Sequence, residues 1–231
     1  PFTMLQDLLA VWFPQCCCGC GLSLPKKQQW LCVYCQAQLP KTYFEGDKNN
    51  PLKLMMRQQL PVESAYAPFY FAQNNPIQKL LHALKYQGKP KIGDWMAKQC
   101  YALLSQHHLL KQCDAVVPVP LHPKREKQRG YNQSARFGHY WAKQLGVPFL
   151  SNMLLRKNVT KTLVRMSRKE RWKEVKNAFV IETNTNYKHL LLVDDVITTG
   201  ATLTACGNAL LEQATQKISV LGMAYAQNIL P

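Results

Sequence analysis

Carboxylates are the scarce side chains of this sequence: 13 Asp and Glu stand against 29 Lys and Arg, a formal net charge of +16 over 231 residues. Such an imbalance disfavours cationic partners and favours polyanions, either nucleic acid or phosphate esters. Long apolar runs are lacking too. Lys, Arg, Gln or His interrupts every stretch that approaches the length of a membrane span, so no transmembrane helix is expected. The N-terminal "PFTMLQDLLAVWFP" has neither a basic n-region nor a small-residue cleavage site, and a secretory signal is not expected. Residues 1–3 read as a vector-derived remnant ahead of Met4. No internal repeat is present, which excludes solenoids, and no G-x-x-x-x-G-K, which excludes a P-loop nucleotidase.

What is present argues for a packed chain, since 47% of the residues are hydrophobic and Tyr, Phe and Trp are plentiful. The nine cysteines are odd in number, and six of them crowd into the first 35 positions. That pattern fits a reducing cytoplasm better than a secreted disulfide framework. Cys17-x-x-Cys20-Gly21 and, eleven residues on, Cys32-x-x-Cys35 form two knuckles able to set four thiolates around a structural Zn²⁺. Gly21 supplies the tight turn, and Lys26 and Lys27 offset the thiolate charge. Cys16 and Cys18 remain alternatives to Cys17 by position. Four cysteines leave no open coordination place, so the metal is structural rather than catalytic.

The chain divides into an N-terminal zinc-binding module over residues 1–50 and a larger domain over 62–231, with a linker between carrying a helical turn near Leu52. In the larger domain "SAYAPFYF" reads as a strand, "PIQKLLHALKYQG" as a helix from Pro76 to Gly88, and "DWMAKQCYALLSQHHLL" as a helix capped by Asp94. "DAVVPVP" is a buried strand followed by the basic loop "LHPKREKQRGYNQS" and the helix "ARFGHYWAKQLG". "HLLLV", "ATLTACGNALLEQ" and "KISVLGMAYA" repeat strand, helix, strand. The alternation predicts an α/β fold, a parallel sheet flanked by helices, with ligands beyond the C-terminal strand ends.

At one such end stand the only adjacent carboxylates of the chain, Asp194 and Asp195, followed by Thr198-Thr199-Gly200-Ala201-Thr202. Gly200 lets the backbone approach an oxyanion, the threonines add hydroxyl donors, and the next helix offers its positive end. A ribose 5-phosphate seated there would put its 2′- and 3′-hydroxyls against the carboxylates, directly or with Mg²⁺ held through water. A helix cap alone would explain one aspartate, but not two together with Thr-Thr-Gly.

"LLLVDDVITTGATL" resembles the phosphoribosyl pyrophosphate (PRPP) motif of type I phosphoribosyltransferases. The wider chain resembles the ComF (GntX-like) family, which joins a zinc knuckle to a phosphoribosyltransferase-like fold. The matching residues are Cys17, Cys20, Gly21, Cys32 and Cys35; Leu84-Lys85-Tyr86-Gln87-Gly88; "VPVPLH" from Val117; and Arg129-Gly130-Tyr131-Asn132-Gln133. The resemblance implies a role in natural transformation, the uptake of DNA into competent bacteria. One stretch departs from the family pattern: Leu163 and Glu174 stand where Gln and Asn are usual, although Thr160, Arg171 and Phe179 match.

Positive charge is concentrated in residues 156–177, which carry +7, and in residues 121–131, which carry +3. Arg125, Arg129, Arg165 and Arg171 are the expected contacts for pyrophosphate or for DNA phosphates, with Trp172 and Tyr131 as stacking platforms. Three functions follow. The first is a cytoplasmic competence factor with a PRPP or ribose 5-phosphate site that engages single-stranded DNA. The second is an active phosphoribosyltransferase acting on an unidentified base, with Asp194 and Asp195 stabilising an oxocarbenium-like ribose. The third is an adaptor whose zinc module docks on other competence proteins. The six histidines show no shared metal spacing, and Cys100, Cys113 and Cys206 read as buried small hydrophobes.

Overall fold

The computed structural model describes residues 14–25, 28–105, 110–156, 178–182, 186–213 and 215–226. In chain order its elements are α1 (Val33–Ala37), α2 (Pro51–Arg57), β1 (Val62–Tyr66), β2 (Phe69–Tyr70), α3 (Pro76–Tyr86), α4 (Lys91–Leu104), β3 (Ala115–Pro118), α5 (Pro123–Arg129), α6 (Gln133–Leu145), β4 (Leu154–Arg156), β5 (Phe179–Ile181), β6 (His189–Ile197), α7 (Ala201–Leu211) and β7 (Lys217–Tyr225). None of these helices is long and apolar enough to cross a membrane.

β6 and β7 are the most continuously apolar segments, and they pair in parallel over their full length from His189–Lys217 to Ile197–Tyr225. β1 and β2 lie on the far side of β7 and β3 on the far side of β6, giving the order β1-β7-β6-β3. Every pairing in this sheet is parallel. Strands covered on both faces need apolar residues at consecutive positions, and β7 is buried from Ile218 to Tyr225. β4 and β5 form a separate antiparallel pair.

The expected helices form, with shifted limits. Asn75 caps α3 by accepting from the Gln78 N–H, and Gly88 beyond its end takes φ +62°. α4 begins earlier than expected, at Lys91. Asp94 therefore lies in its first turn rather than at the cap, where it pairs with Arg136 of α6. The basic stretch after β3 is not all loop. His122 caps a short helix, α5, which Gly130 ends in the left-handed region at φ +77°.

α6 lies close on the sheet because Gly138 has no side chain. A Cβ there would meet Val193 Cγ2 at 2.7 Å and Phe149 Cε2 at 3.0 Å. The helix thereby seats Phe137 and Trp141 in the core, both fully buried.

The expected linker is structured. α2 buries Leu52 and Met56, and its flanks clothe the outer edge of the sheet. Asn50 Nδ2 donates to the Ala65 carbonyl at 3.0 Å and Arg57 Nε to that of Val62 at 3.4 Å. At Ala67-Pro68, where β1 breaks from β2, the Thr42 hydroxyl and N–H donate to the two carbonyls at 2.7 and 2.9 Å. Lys41 bridges Phe69, and the Tyr70 N–H donates to the Pro40 carbonyl.

Candidate functional site

Four sulfurs converge in the N-terminal module. Those of Cys17, Cys20, Cys32 and Cys35 all lie within 4.8 Å of one another, and Cys20 and Cys32 are 3.7 Å apart. A tetrahedral metal with bonds of about 2.3 Å to sulfur has sulfur–sulfur edges of about 3.8 Å, so this set fits a four-thiolate ion. Cys16 and Cys18 are outside it. The turn depends on two glycines. Gly21 takes φ +81°, and a Cβ on Gly19 would sit 2.7 Å from Cys35 Sγ. The Cys32 N–H donates to Cys17 Sγ at 3.2 Å and the Cys35 N–H to Cys32 Sγ at 3.4 Å. Burial opposes ionisation of Cys17, but N–H donors from Cys20, Cys32 and Gly19 outweigh it and bring the thiol down to about 6. Burial, reinforced by the neighbouring sulfurs, pushes Cys35 up. Lys26 and Lys27 lie outside the described residues.

The aspartates do not follow their strand; they are part of it. β6 runs two residues beyond Asp195, because Val196 and Ile197 continue the ladder with Ala224 and Tyr225. Their neighbours include Lys85 and Gln133, two residues of the family-matching stretches to which the sequence assigns no role, and Ser134 beside them. Lys85, near the end of α3, pairs its ammonium with Asp195 Oδ2 at 2.9 Å. Gln133 Nε2, in the first turn of α6, donates to the same oxygen at 2.6 Å, and the Val196 N–H donates to Asp195 Oδ1 at 2.6 Å. Ser134 Oγ donates to Asp194 Oδ1 at 3.0 Å, as does the Asp195 N–H at 2.8 Å. Asn132 holds this turn by capping the Ser134 and Ala135 N–H groups, while its Nδ2 donates to the Val119 carbonyl.

Gln133 and Ser134 are buried, as is Asp195, whereas Asp194 is half-buried. Burial, then the charge of Asp195, lifts the Asp194 carboxyl to about 7 against the opposing Asp195 N–H, Ser134 and Lys85. Gln133 Oε1 is a buried acceptor with no hydrogen-bond partner among the described residues. The donor set does not fit a Mg²⁺ ion bound directly at Asp195. Both of that residue's oxygens already accept hydrogen bonds, one of them from a cation, and Mg²⁺ requires near-octahedral oxygen ligands at about 2.0–2.1 Å.

Thr198, Thr199, Gly200, Ala201 and Thr202 turn the chain from β6 into α7, and with Asp194 they line a hollow of about 40 Å³. Gly200 takes φ +75° at the helix start, where a Cβ would meet Met56 Sδ at 2.5 Å. Gln59 Nε2 steadies the turn by donating to the Thr199 carbonyl at 3.0 Å. Met56 and Gln59 both come from the stretch expected to be a linker.

Arg129 lies over the Tyr86 ring, 5.2 Å from its centroid, next in sequence to Lys85. Arg125 sits exposed on α5. Tyr131 donates its hydroxyl to the Leu84 carbonyl, which ties α3 to the start of α6. Arg165, Arg171, Trp172, Thr160, Leu163 and Glu174 lie outside the described residues. Cys100, Cys113 and Cys206 are buried as expected. His189 is buried at the opposite end of β6, bonded to Ser219 at 2.9 Å.

No protein-family model matches the chain. It is 29% identical over 223 residues to competence protein F of Haemophilus influenzae, covering 91% of this chain and 96% of that protein. It is 32% identical over 170 residues to the DNA utilization protein YhgH of Salmonella typhimurium, covering 71% of this chain and 70% of that protein. Among solved structures it is similar to the glutamine PRPP amidotransferase of B. subtilis, with a TM-score of 0.38 and 16% identity, over 65% of this chain and 28% of that one.

Proposed function

The chain belongs to the ComF family, and from that membership we propose that it serves DNA utilisation in competent bacteria through a ribose 5-phosphate or PRPP site. In this reading the 5-phosphate rests on residues 198–202, taking hydroxyl donors from the threonines and the positive end of α7. Asp194 and Asp195 accept the sugar hydroxyls. The supporting observation is the meeting of both elements on one strand: a carboxylate pair near the end of β6, then a glycine at φ +75° opening an 11-residue helix. The module's four cysteines hold Zn²⁺, closed to substrate, and the protein works in the cytoplasm with other competence proteins as partners.

Single-stranded DNA is the second ligand of this reading. Its phosphates meet Arg125 and Arg129 and, outside the described residues, Arg165 and Arg171. Tyr86, 64% exposed beneath Arg129, offers a stacking face. Tyr131 is only partly exposed, with its hydroxyl committed to Leu84.

Calorimetry with ribose 5-phosphate and PRPP tests the first ligand. Wild type should bind, the Asp194→Ala/Asp195→Ala variant should not, and absence of binding by wild type would refute the site. For DNA, log affinity should fall linearly with log salt, by about 0.7 per phosphate contacted; a flat response would dismiss the basic surface. An unchanged transformation frequency after gene deletion would remove the biological role.

One observation favours a transferase as the second reading. A carboxyl raised to about 7 titrates near the pH at which a general base or acid works best. Release of pyrophosphate from PRPP with a panel of nitrogen bases would establish it, and silence across the panel would discard it.

A further inference from the structure

Lys85 places its ammonium where a divalent cation would otherwise balance the paired carboxylates. It is held on Asp195 Oδ2 at 2.9 Å, with its side chain 22% exposed and that of Asp195 9% exposed. Every oxygen of Asp195 is already engaged: Oδ2 by Lys85 and Gln133, Oδ1 by the Val196 N–H. Asp194 Oδ1 accepts from Ser134 and the Asp195 N–H. A metal arriving here would have to displace an ammonium and an amide from a buried carboxylate, and would itself shed water that Mg²⁺ gives up reluctantly. The raised Asp194 carboxyl points the same way, because a partly protonated acid is a poor ligand for a dication and a good hydrogen-bond partner for a hydroxyl. Gln133 Oε1, buried and without a donor among the described residues, adds an acceptor beside the pair.

We propose that Lys85 takes the place of a divalent cation at the carboxylate pair, so that a ribose phosphate binds Asp194 and Asp195 through its sugar hydroxyls without Mg²⁺ between them. This rests on the sugar-phosphate reading above, and it makes Lys85 a positioning residue that sets the site's cation requirement. Lys85 orients Asp195 by Coulomb attraction at 2.9 Å, and Gln133 fixes the same oxygen from the other helix. The requirement for metal is then confined to ligands that carry their own, as a pyrophosphate does.

Two measurements on the full, zinc-loaded chain separate this proposal from its premise. In the first, Mn²⁺ stands in for Mg²⁺ and is followed by electron paramagnetic resonance. Wild type should leave equimolar Mn²⁺ free, and Lys85→Met should bind one ion, which Asp195→Asn in the same background abolishes. In the second, ribose 5-phosphate is titrated in buffer with or without Mg²⁺. Wild-type affinity should agree within about twofold in the two buffers, whereas Lys85→Met should lose about tenfold or more without Mg²⁺ and recover with it. Lys85→Arg, which keeps the charge, should behave as wild type, and Lys85→Gln replaces Met if circular dichroism finds the Met variant unfolded. Stoichiometric Mn²⁺ on wild type, or wild-type sugar-phosphate binding that collapses without Mg²⁺, would overturn the proposal. If wild type binds no ribose 5-phosphate in either buffer while Mn²⁺ behaves as expected, the sugar-phosphate reading falls and exclusion of the cation by Lys85 stands.

Discussion

Substituting Gly138 by alanine tests how tightly the site depends on the approach of α6 to the sheet. The added methyl would start 2.7 Å from Val193 Cγ2 and 3.0 Å from Phe149 Cε2. Val193 is β-branched, fully buried and fixed in a central strand, so its rotamer gives little room. Overpacking costs about 1–3 kcal/mol, and against a neighbour with so little room the upper part of that range applies, about 2–3 kcal/mol, while alanine returns about 1 kcal/mol of helix propensity relative to glycine. The net expectation is a loss of about 1–2 kcal/mol, or a melting temperature lower by about 2–8 °C for a chain of this length. The helix must also move outward, and Ser134 lies one turn before Gly138 on the same face. Its 3.0 Å bond to Asp194 and the 2.6 Å bond of Gln133 to Asp195 should lengthen, weakening ribose 5-phosphate binding under conditions where the variant is fully folded. Urea unfolding at constant slope measures the first effect and calorimetry the second. Val193→Ala removes the atom that clashes, so in the double variant the two losses should be less than additive. A Gly138→Ala protein as stable as wild type would refute the close-approach argument.

Cys35→Ser should reduce bound zinc to well below one ion per chain by atomic absorption, whereas Cys16→Ser and Cys18→Ser should leave it unchanged, because only the former sulfur belongs to the converging set. Asp194 carries a folded carboxyl raised by burial first and then by Asp195 to about 7, against about 3.9 unfolded. The folded state therefore holds an extra proton between those values, and stability falls as pH rises through that window. Asp194→Asn does not titrate, so its melting temperature relative to wild type should climb from about pH 4 to about pH 8; a constant difference would contradict the raised carboxyl. Gly200→Ala forces a side chain into the left-handed region and toward Met56 Sδ, costing at least about 1–2 kcal/mol. Its phosphate affinity should fall with its melting temperature, and an unaltered melt would mean that the turn relaxes freely.

Legibility followed the range of the interaction. The strands β6 and β7, the helices α3 and α6, and the turn at Gly200 were visible because apolar period, caps and glycine act locally. Asp194 and Asp195 stood out for the same reason, as an adjacent acidic pair in a basic chain. Their partners did not. Lys85 is 110 positions from Asp195, and Gln133 is 62. Nothing in the local pattern distinguishes a lysine at a helix end that ion-pairs with a strand from one in solvent. The signal was there as a resemblance, since both residues sit in stretches shared with the family, but resemblance gave no contact. The stretch around α2 was undervalued because Gly, Asn and Pro suggested a tether. Tertiary burial of Leu52 and Met56 overrides that composition, and Asn50 serves at once as helix cap and as a donor to β1.

The dressing of the β1–β2 border has a consequence for how the protein behaves among other copies of itself. A bare outer strand offers a ladder of peptide groups on which a second chain can template. Here the carbonyls of Val62, Ala65, Ala67 and Pro68 and the amide of Tyr70 are engaged by the chain's own residues 40–57. The ribbon that joins the cysteine module to the sheet thus acts as a selvedge. Cutting or loosening it would do more than free one module from the other: it would leave a sticky β margin, and aggregation would follow before unfolding.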